Sequence, residues 1–357
     1  MPKRVTATSR RNTTKKASWK AVRNRHTLSH RLKLAGISIL GILVAGVVFG
    51  GLSFAQFIKS PLSLASGSFP EGRVWNDVTP LNLVIIVTDD RLEEVKKLGI
   101  ATFDKHQKSL SFVSVPTNVT VDYPLGLGAA PLSSAIILGD SLNPKIGLGL
   151  ISKVILKNLA LPIDRYALIT ESNLAKWTSN PADFKESLRF RNIGHYPQIL
   201  TFIKENIVTN LSLTEMGDVL LFLKTVEPQK TNIAGFSGLG ETLDSHWSDF
   251  YTRGLLKEKR VPVLILNATD REGLGLWAVR FIQNLGGDAL TATNATGNYA
   301  KSFIITSDPS LPVVSLLGRT LNISTVYNTR DLPAQKEYSS SRAEVTLVLG
   351  LDQMSVL

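Results

Sequence analysis

The 357-residue chain contains no cysteine. This absence excludes a disulfide framework, a thiolate nucleophile and a cysteine zinc site. Histidine occurs only five times, at scattered positions, and the Walker A, HExxH and GxSxG patterns are all missing. The sequence therefore carries none of the standard signatures of nucleotide hydrolases, zinc proteases or serine hydrolases.

Acidic residues are absent from positions 1–33, which carry 11 Lys and Arg. The whole chain has 40 basic and 29 acidic residues and a net charge of +11, so the excess positive charge belongs to this tail. The tail is polar and lacks apolar periodicity, which is typical of disorder. We expect it to touch anionic lipid headgroups and the membrane surface, and we expect no nucleic acid as a partner.

Charged residues are also absent from Leu34 to Ile58, LAGISILGILVAGVVFGGLSFAQFI. At about 1.5 Å per helical residue, this run is long enough to cross a hydrocarbon core of about 30 Å. Because short basic flanks stay in the cytoplasm, the pattern predicts a single-pass plasma-membrane protein with a cytoplasmic N-terminus and an extracytoplasmic bulk. A cleaved signal peptide is the alternative, although its apolar core is normally shorter than this segment.

After the apolar run, strand and helix patterns alternate and predict an α/β fold. Leu81 to Val87 is a near-continuous apolar run, typical of a strand buried on both faces. The segment DRLEEVKKLG that follows has helical composition, and Ser212 with Glu215 forms a capping box before a helix. Further strands are predicted at Ser109–Val115 and Tyr166–Thr170, and helices at Gly147–Leu161, Pro197–Thr209 and Leu213–Val226.

The last hundred residues show a regular strand–helix alternation, which predicts a small C-terminal α/β sandwich. Asp308 is placed to cap the second helix, which has proline in its first turn. The predicted strands are Val261–Leu266, Ala289–Thr293, Ser302–Thr306, Ile323–Tyr327 and Val345–Leu349, and the predicted helices are Gly273–Leu285 and Pro309–Leu321.

The sequence offers one acidic candidate site, at the end of the buried strand, where Asp89, Asp90 and Arg91 follow one another. Ligands in α/β sheets bind at the carboxyl ends of the strands. Paired carboxylates can hold Mg²⁺ on a diphosphate, and arginine can clamp phosphate oxygens. The alternative is that Asp89 or Asp90 caps a following helix.

Arg189 and Arg191 form a second candidate, in the segment SLRFRN. If the segment is extended, the two side chains share one face. They could then grip a phosphate together, or simply be solvated.

The order of these pieces resembles the LytR–CpsA–Psr family of bacterial envelope proteins. The resemblance is carried by the basic tail and anchor, WNDVTPLNLVIIVTDDR at positions 75–91, SFVSVPTNVTVDYP at 111–124 and the stretch from Phe190 to Val226. The last 95 residues or so resemble the separate LytR C-terminal domain through VPVLILNATDREGLG, LGGDAL and VTLVLGLD.

The resemblance implies a chemistry and the residues for it. Family members use Mg²⁺ and arginines on a polyprenyl-pyrophosphate lipid and transfer its glycopolymer to peptidoglycan. By position, Asp89 and Arg91 match the first motif as catalytic residues, with Asp89 as the metal ligand if the protein is active. Asp90 would contribute to ligand binding, and Arg189 and Arg191 match the later arginines of the family.

The sequence also departs from the family pattern. Thr117 and Asn118 stand where the family has Arg-Asp, the R-S-D-T strand has no counterpart between Gly99 and Lys108, and the stretch before Ser187 is too short for the central G-G-V segment. Because preorganised charges stabilise phosphoryl transfer, losing the cationic clamp predicts a catalytically degenerate relative. No cofactor is then needed, and Mg²⁺ would be required only if activity survives.

These observations predict six segments. They are a basic cytoplasmic tail (1–33), a transmembrane signal anchor (34–58), a linker (59–76), a degenerate LytR–CpsA–Psr-like domain (77–228), a second linker (229–259) and a LytR C-terminal-like domain (260–357).

The predicted function is cell-envelope assembly or maintenance without catalysis, with an envelope polymer or peptidoglycan, a polyprenyl-pyrophosphate lipid or envelope proteins as partners. The alternatives are a Mg²⁺-dependent glycopolymer phosphotransferase and a transcriptional attenuator. The predicted topology disfavours an attenuator, because both folded units lie outside the cytoplasm.

Overall fold

The computed structural model describes residues 80–143, 147–178, 205–226, 228–236, 238–239, 243–247, 261–329 and 342–355. All of them fall within one compact unit, Pro61–Leu357. The predicted signal anchor Leu34–Ile58 and the basic tail lie outside the described residues, and so do Arg189 and Arg191. In the part of the chain that is described, no helix is both long enough and apolar enough to cross a bilayer.

The first sheet contains six strands in the order β7-β6-β1-β2-β3-β8. It is mixed, because β1 pairs antiparallel with β2 but parallel with β6. A separate hairpin of β4 and β5 lies outside this sheet. The strands are β1 (Leu81–Thr88), β2 (Val95–Asp104), β3 (Ser109–Val115), β4 (Thr120–Tyr123), β5 (Gly128–Pro131), β6 (Arg165–Thr170), β7 (Ile207–Thr209) and β8 (Thr231–Gly235).

Both faces of the first sheet are covered by helices. Val84 and Ile86 of β1 share a core with helix α2, whereas Leu81 and Leu83 share one with helix α4. Successive strand residues point to opposite faces, so the continuous apolar run of β1 is buried on both sides, as the sequence predicts. The helices are α1 (Ala135–Leu142), α2 (Gly147–Leu159), α3 (Glu171–Thr178) and α4 (Leu213–Thr225).

The second sheet contains five strands in the order β10-β9-β13-β11-β12. Strand β13 pairs parallel with β9 and antiparallel with β11, and two helices share a core with the sheet, which agrees with the predicted small α/β sandwich. The elements are β9 (Pro262–Asn267), helix α5 (Leu274–Asn284), β10 (Asp288–Asn294), β11 (Phe303–Thr306), helix α6 (Pro312–Thr320), β12 (Val326–Asn328) and β13 (Val345–Leu349).

The prediction of helical structure directly after β1 is wrong. Residues 89–94 form a short loop, and β2 begins at Val95. Strand β2 lies between β1 and β3, and its Val95, Leu98 and Ile100 are buried in the core on one face of the sheet. Pairing on both edges and burial of these side chains outweigh the helical composition of the segment, because strand formation depends on tertiary context more than on local propensity.

Two other helix predictions need correction. The predicted helix Pro197–Thr209 is wrong at its end, because Ile207–Thr209 is strand β7, paired with β6. Residues 197–204 lie outside the described part of the chain. Asp308 does not cap α6, which begins at Pro312. The carboxylate of Asp308 instead accepts hydrogen bonds from the amide and hydroxyl of Ser310.

The capping box at the start of α4 is confirmed. The Ser212 hydroxyl accepts a hydrogen bond from the Glu215 amide at 3.2 Å, and Glu215 Oε2 accepts one from the Ser212 amide at 3.0 Å. Two otherwise unpaired donors of the first helical turn are thereby satisfied.

Candidate functional site

The loop of residues 89–94 lies at the edge of the first sheet where two parallel strands end. Thr88 is the last residue of β1, and it pairs with Thr170, the last residue of β6. Helix α3 begins at the next position, Glu171. The acidic pair Asp89 and Asp90 therefore sits at the carboxyl ends of neighbouring parallel strands, the usual ligand edge of an α/β sheet.

Asp89 uses its carboxylate to shape this loop. Its Oδ1 accepts hydrogen bonds from the amides of Glu93 at 2.8 Å and Glu94 at 3.0 Å. The hydrogen bond from Glu94 is the main reason that the pKa of Asp89 lies below its ordinary value. The hydrogen bonds to ionised Asp89 thus stabilise a loop that reverses the chain from β1 into β2, at the position where the sequence predicts a helical turn.

Asp90 is hydrogen-bonded to the first turn of helix α3. Hydrogen bonds from the hydroxyl and amide of Ser172, and from the hydroxyl of Thr170, lower the pKa of its carboxyl group. A carboxylate is favourable at a helix N-terminus, where amide groups are unpaired and the dipole is positive. The cap considered from the sequence is therefore present in a changed form: Asp90 caps α3, which lies more than eighty residues later in the chain.

Arg91 is exposed beside the acidic pair, and its positive charge contributes to the lowered pKa of Asp89 after the loop hydrogen bonds. Lys96 at the start of β2 forms an ion pair with Glu94, the last residue of the loop. The predicted ligand-binding residues Arg189 and Arg191 lie outside the described residues. The structure thus brings Asp89, Asp90 and Arg91 together and leaves the role of all five residues a prediction.

A Mg²⁺ site at this loop would need side chains that can serve as ligands of the ion. Among the described residues, no group of three or more His, Asp and Glu side chains is close enough to hold a metal ion. Mg²⁺ is nevertheless often held by one or two carboxylates, with water and substrate phosphates completing its shell. Asp89 fits that role through Oδ2, which makes no hydrogen bond within the described part of the chain.

Sequence reasoning missed three hydroxyl-bearing residues at this edge. Thr170 and Ser172 bind Asp90, and their position at a strand-to-helix junction is the signal that could have identified them. Thr88 is fully buried, and its hydroxyl has no hydrogen-bond partner in the described structure. A threonine at the end of an apolar strand is ordinary, so nothing in the sequence marks it.

No protein-family model matches the chain, and no curated protein matches it either. Among solved structures, it is similar to protein gbs0355 from Streptococcus agalactiae, with a TM-score of 0.39 and 10% identity over 48% of this chain and 87% of that chain. It is also similar to the transcriptional regulator yvhJ from Bacillus subtilis, with a TM-score of 0.34 and 14% identity over 47% of this chain and 88% of that chain.

A third similar structure is TagT from Bacillus subtilis. Its complex with LI-WTA gives a TM-score of 0.32 and 16% identity over 49% of this chain and 85% of that chain. All three TM-scores are below 0.5, so neither a family nor a function follows from these similarities.

Proposed function

We propose that this protein is a membrane-anchored, extracytoplasmic component of bacterial cell-envelope assembly or maintenance, which binds an envelope polymer, a lipid carrier or an envelope protein without catalysis. The proposal is supported by the order of the basic tail, apolar segment and α/β units, and by the motifs that resemble the LytR–CpsA–Psr family. The geometry of the loop after β1 favours binding over catalysis.

The observation that carries the non-catalytic proposal is the use of the acidic pair in local hydrogen bonds. Asp89 Oδ1 accepts two loop amides, and Asp90 is engaged by Ser172 and Thr170. One oxygen of Asp89 thus holds the loop, and the carboxylate of Asp90 caps helix α3. A general base or a further metal ligand would need carboxylate oxygens directed at the reacting group, and of the acidic pair only Asp89 Oδ2 is left for that role.

The position of the missing cationic clamp supports the same proposal. Thr117 stands where the family has arginine, and its hydroxyl donates a hydrogen bond to the backbone oxygen of Lys96 at 3.3 Å. Its own backbone oxygen accepts a hydrogen bond from the amide of Ser133. A neutral side chain bound to the backbone cannot neutralise the charge that develops on a transferred phosphoryl group.

One observation favours the alternative, a Mg²⁺-dependent glycopolymer phosphotransferase. Asp89 keeps Oδ2 available at the ligand edge of the sheet, with the exposed Arg91 two residues later. If Mg²⁺ binds there, it would neutralise phosphate charge, while Asp89 would hold the ion and Arg91 would orient phosphate oxygens.

The test is a titration of the full chain, in detergent micelles, with polyprenyl pyrophosphate, with and without Mg²⁺, measuring binding and phosphate release together. Asp89→Asn is the informative variant, because an amide oxygen can still accept the two loop amides while the charge is lost. Asp288→Asn, at an exposed position on β10, is the matched control. We expect binding without phosphate release, nearly unchanged in both variants.

Phosphate release that requires Mg²⁺ and disappears only in Asp89→Asn would contradict the proposal and establish the alternative. If polyprenyl pyrophosphate does not bind, sedimentation with purified peptidoglycan tests the polymer instead. A chain that binds neither the lipid nor the polymer, and that no envelope protein retains after cross-linking in intact cells, would contradict the binding function.

The predicted localisation needs a separate test. A fusion of alkaline phosphatase after Leu357 should be active, because this enzyme folds only outside the cytoplasm, and a fluorescent protein fused before Met1 should be fluorescent. The reverse pattern would place the folded units in the cytoplasm and favour the attenuator alternative.

A further inference from the structure

Helix α5, which packs against the second sheet, donates three hydrogen bonds to the last turn of helix α2. Trp277 Nε1 donates to the backbone oxygen of Leu156 at 3.1 Å, and Arg280 Nη1 donates to that of Asn158 at 2.7 Å. Asn284 Nδ2 donates to that of Leu159 at 2.9 Å.

The two helices suit this contact for simple geometric reasons. The last four carbonyls of an α-helix have no partner within the helix, and α2 ends at Leu159. The three donors on α5 are separated by three and four positions, so they lie on one helical face. Side chains that are far away in sequence therefore cap the C-terminal end of α2.

A third segment, residues 243–247, joins the same contact. Asp244 accepts hydrogen bonds from Arg280 Nε at 2.6 Å and Nη2 at 2.8 Å, a paired geometry that is among the strongest for arginine. Asp244 Oδ1 also accepts Asn284 Nδ2 at 3.1 Å. We call Asp244, Trp277, Arg280 and Asn284 the clasp.

Apolar packing surrounds the clasp on both sides. Leu243, which precedes Asp244, and Trp247, three positions after it, are fully buried, and Trp277 stacks on Phe281 with ring centroids 5.4 Å apart. The buried cluster that contains these side chains is continuous from Val84 in the first sheet to the second sheet. The residues near the clasp therefore belong to one core and not to two.

We propose that the clasp makes the C-terminal sandwich an obligatory folding partner of the first sheet. Helix α5 acts as the C-terminal cap of α2, and the two sheets unfold in one cooperative transition. Losing the second sheet would leave three α2 carbonyls without these donors and Asp244 without its paired cation, while exposing the shared core. Unpaired, partly buried groups of this kind are costly. This inference is independent of the proposed function.

Hydrogen exchange of the full chain in micelles, measured by mass spectrometry over a urea series, tests the proposal. Peptides that cover β2 report on the first sheet, and peptides that cover β9 report on the second. We expect both sets of amides to lose protection at one urea midpoint. Arg280→Ala should lower both midpoints equally, by on the order of 1 M.

Gln283→Ala is the matched control, because Gln283 lies on α5 but is exposed, and it should leave both midpoints in place. If Arg280→Ala does not fold, Trp277→Phe and Asn284→Ala each remove one donor group of the clasp with a smaller change, and they should also shift both midpoints together. Different midpoints in the unmodified chain, or a shift confined to the β9 peptides, would overturn the proposal.

A double-mutant cycle between Arg280 and Asp244 adds an independent test of the clasp. Asp244→Ala and Arg280→Ala should each lower both midpoints, and the double variant should lower them by clearly less than the sum of the two shifts. Additive shifts would show that the two side chains do not act as a unit, and would contradict the clasp.

Discussion

Arg165 on β6 and Glu215 on α4 form a buried ion pair that joins the first sheet to the helix on its second face. Arg165 Nε donates a hydrogen bond to Glu215 Oε2 at 3.2 Å, and Nη2 donates to Oε1. The two side chains are 7% and 15% exposed, so solvent screens this pair only weakly. Because Glu215 also completes the capping box with Ser212, one carboxylate links β6, α4 and the turn that precedes α4.

Glu215→Gln should destabilise the fold, because it leaves the buried charge of Arg165 without its partner. The expected loss is about 3 kcal/mol in the free energy of unfolding at pH 7. Urea unfolding measures this change. Asp218→Asn is the control: Asp218 pairs with Lys105 on the exposed side of α4, and its replacement should change the free energy by no more than about 1 kcal/mol. Equal effects of the two variants would contradict a special role for Glu215.

The same pair predicts acid sensitivity. Burial raises the pKa of Glu215, but hydrogen bonds from Arg165 and Ser212 outweigh it, so the net pKa lies below the ordinary value. The stabilisation is present above the unfolded pKa of about 4.3 and is lost as the pH falls through the folded pKa. The stability difference between the native chain and Glu215→Gln should therefore shrink in acid. A difference that stays constant down to pH 2 would contradict this cause.

A buried hydrogen bond joins two neighbouring strands of the first sheet, between Asn82 on β1 and Thr102 on β2. Thr102 Oγ1 donates to Asn82 Oδ1 at 2.8 Å, and Asn82 Nδ2 donates to the backbone oxygen of Pro162 at 2.8 Å. Thr102→Val keeps the shape but removes the first bond, and it should cost about 1–2 kcal/mol of unfolding free energy. Thr120→Val, at an exposed site on β4, should have almost no effect when both are compared by thermal unfolding.

Gly99 leaves room for the ring of Phe112, which lies over it. A Cβ at position 99 would be 2.5 Å from Cζ and 2.7 Å from Cε2 of this ring. Gly99→Ala should therefore destabilise the fold by about 1–3 kcal/mol, and Phe112→Leu in the same chain should recover part of the loss. Gly217→Ala on α4 meets no atom within 4 Å and should instead stabilise by about 0.5–1 kcal/mol. Denaturant midpoints of the unmodified chain, Gly99→Ala, Gly99→Ala with Phe112→Leu, and Gly217→Ala test these three changes in stability.

Burial raises the pKa of Tyr123 and of Tyr166 to about 12. Because the unfolded pKa is about 10, these phenols stabilise the fold fully below pH 10, and the contribution is lost as the pH rises towards 12. Absorbance at 295 nm should show that two tyrosines ionise late, together with unfolding. Tyr123→Phe and Tyr166→Phe should each remove one late tyrosine, and early ionisation of both in the native chain would contradict their burial.

Several elements could be predicted from the sequence because their signals are local. The apolar run of β1, the helical spacing of α2 and the S-x-x-E box of α4 each depend on residues within a few positions of one another. The alternation of the last hundred residues predicts the second sheet for the same reason. The acidic pair at the end of β1 was also visible, since its position follows directly from the end of that strand.

The rest was decided by contacts between distant residues. The segment after Glu94 became β2 because two strands pair with it, and Asp90 caps α3 because β6 lies parallel beside β1. Arg165 meets Glu215 fifty positions later, and Arg280 reaches the end of α2 more than a hundred positions earlier. Composition and local spacing do not predict such pairings. The pairings form only when the strands are ordered in a sheet and the helices are packed against it.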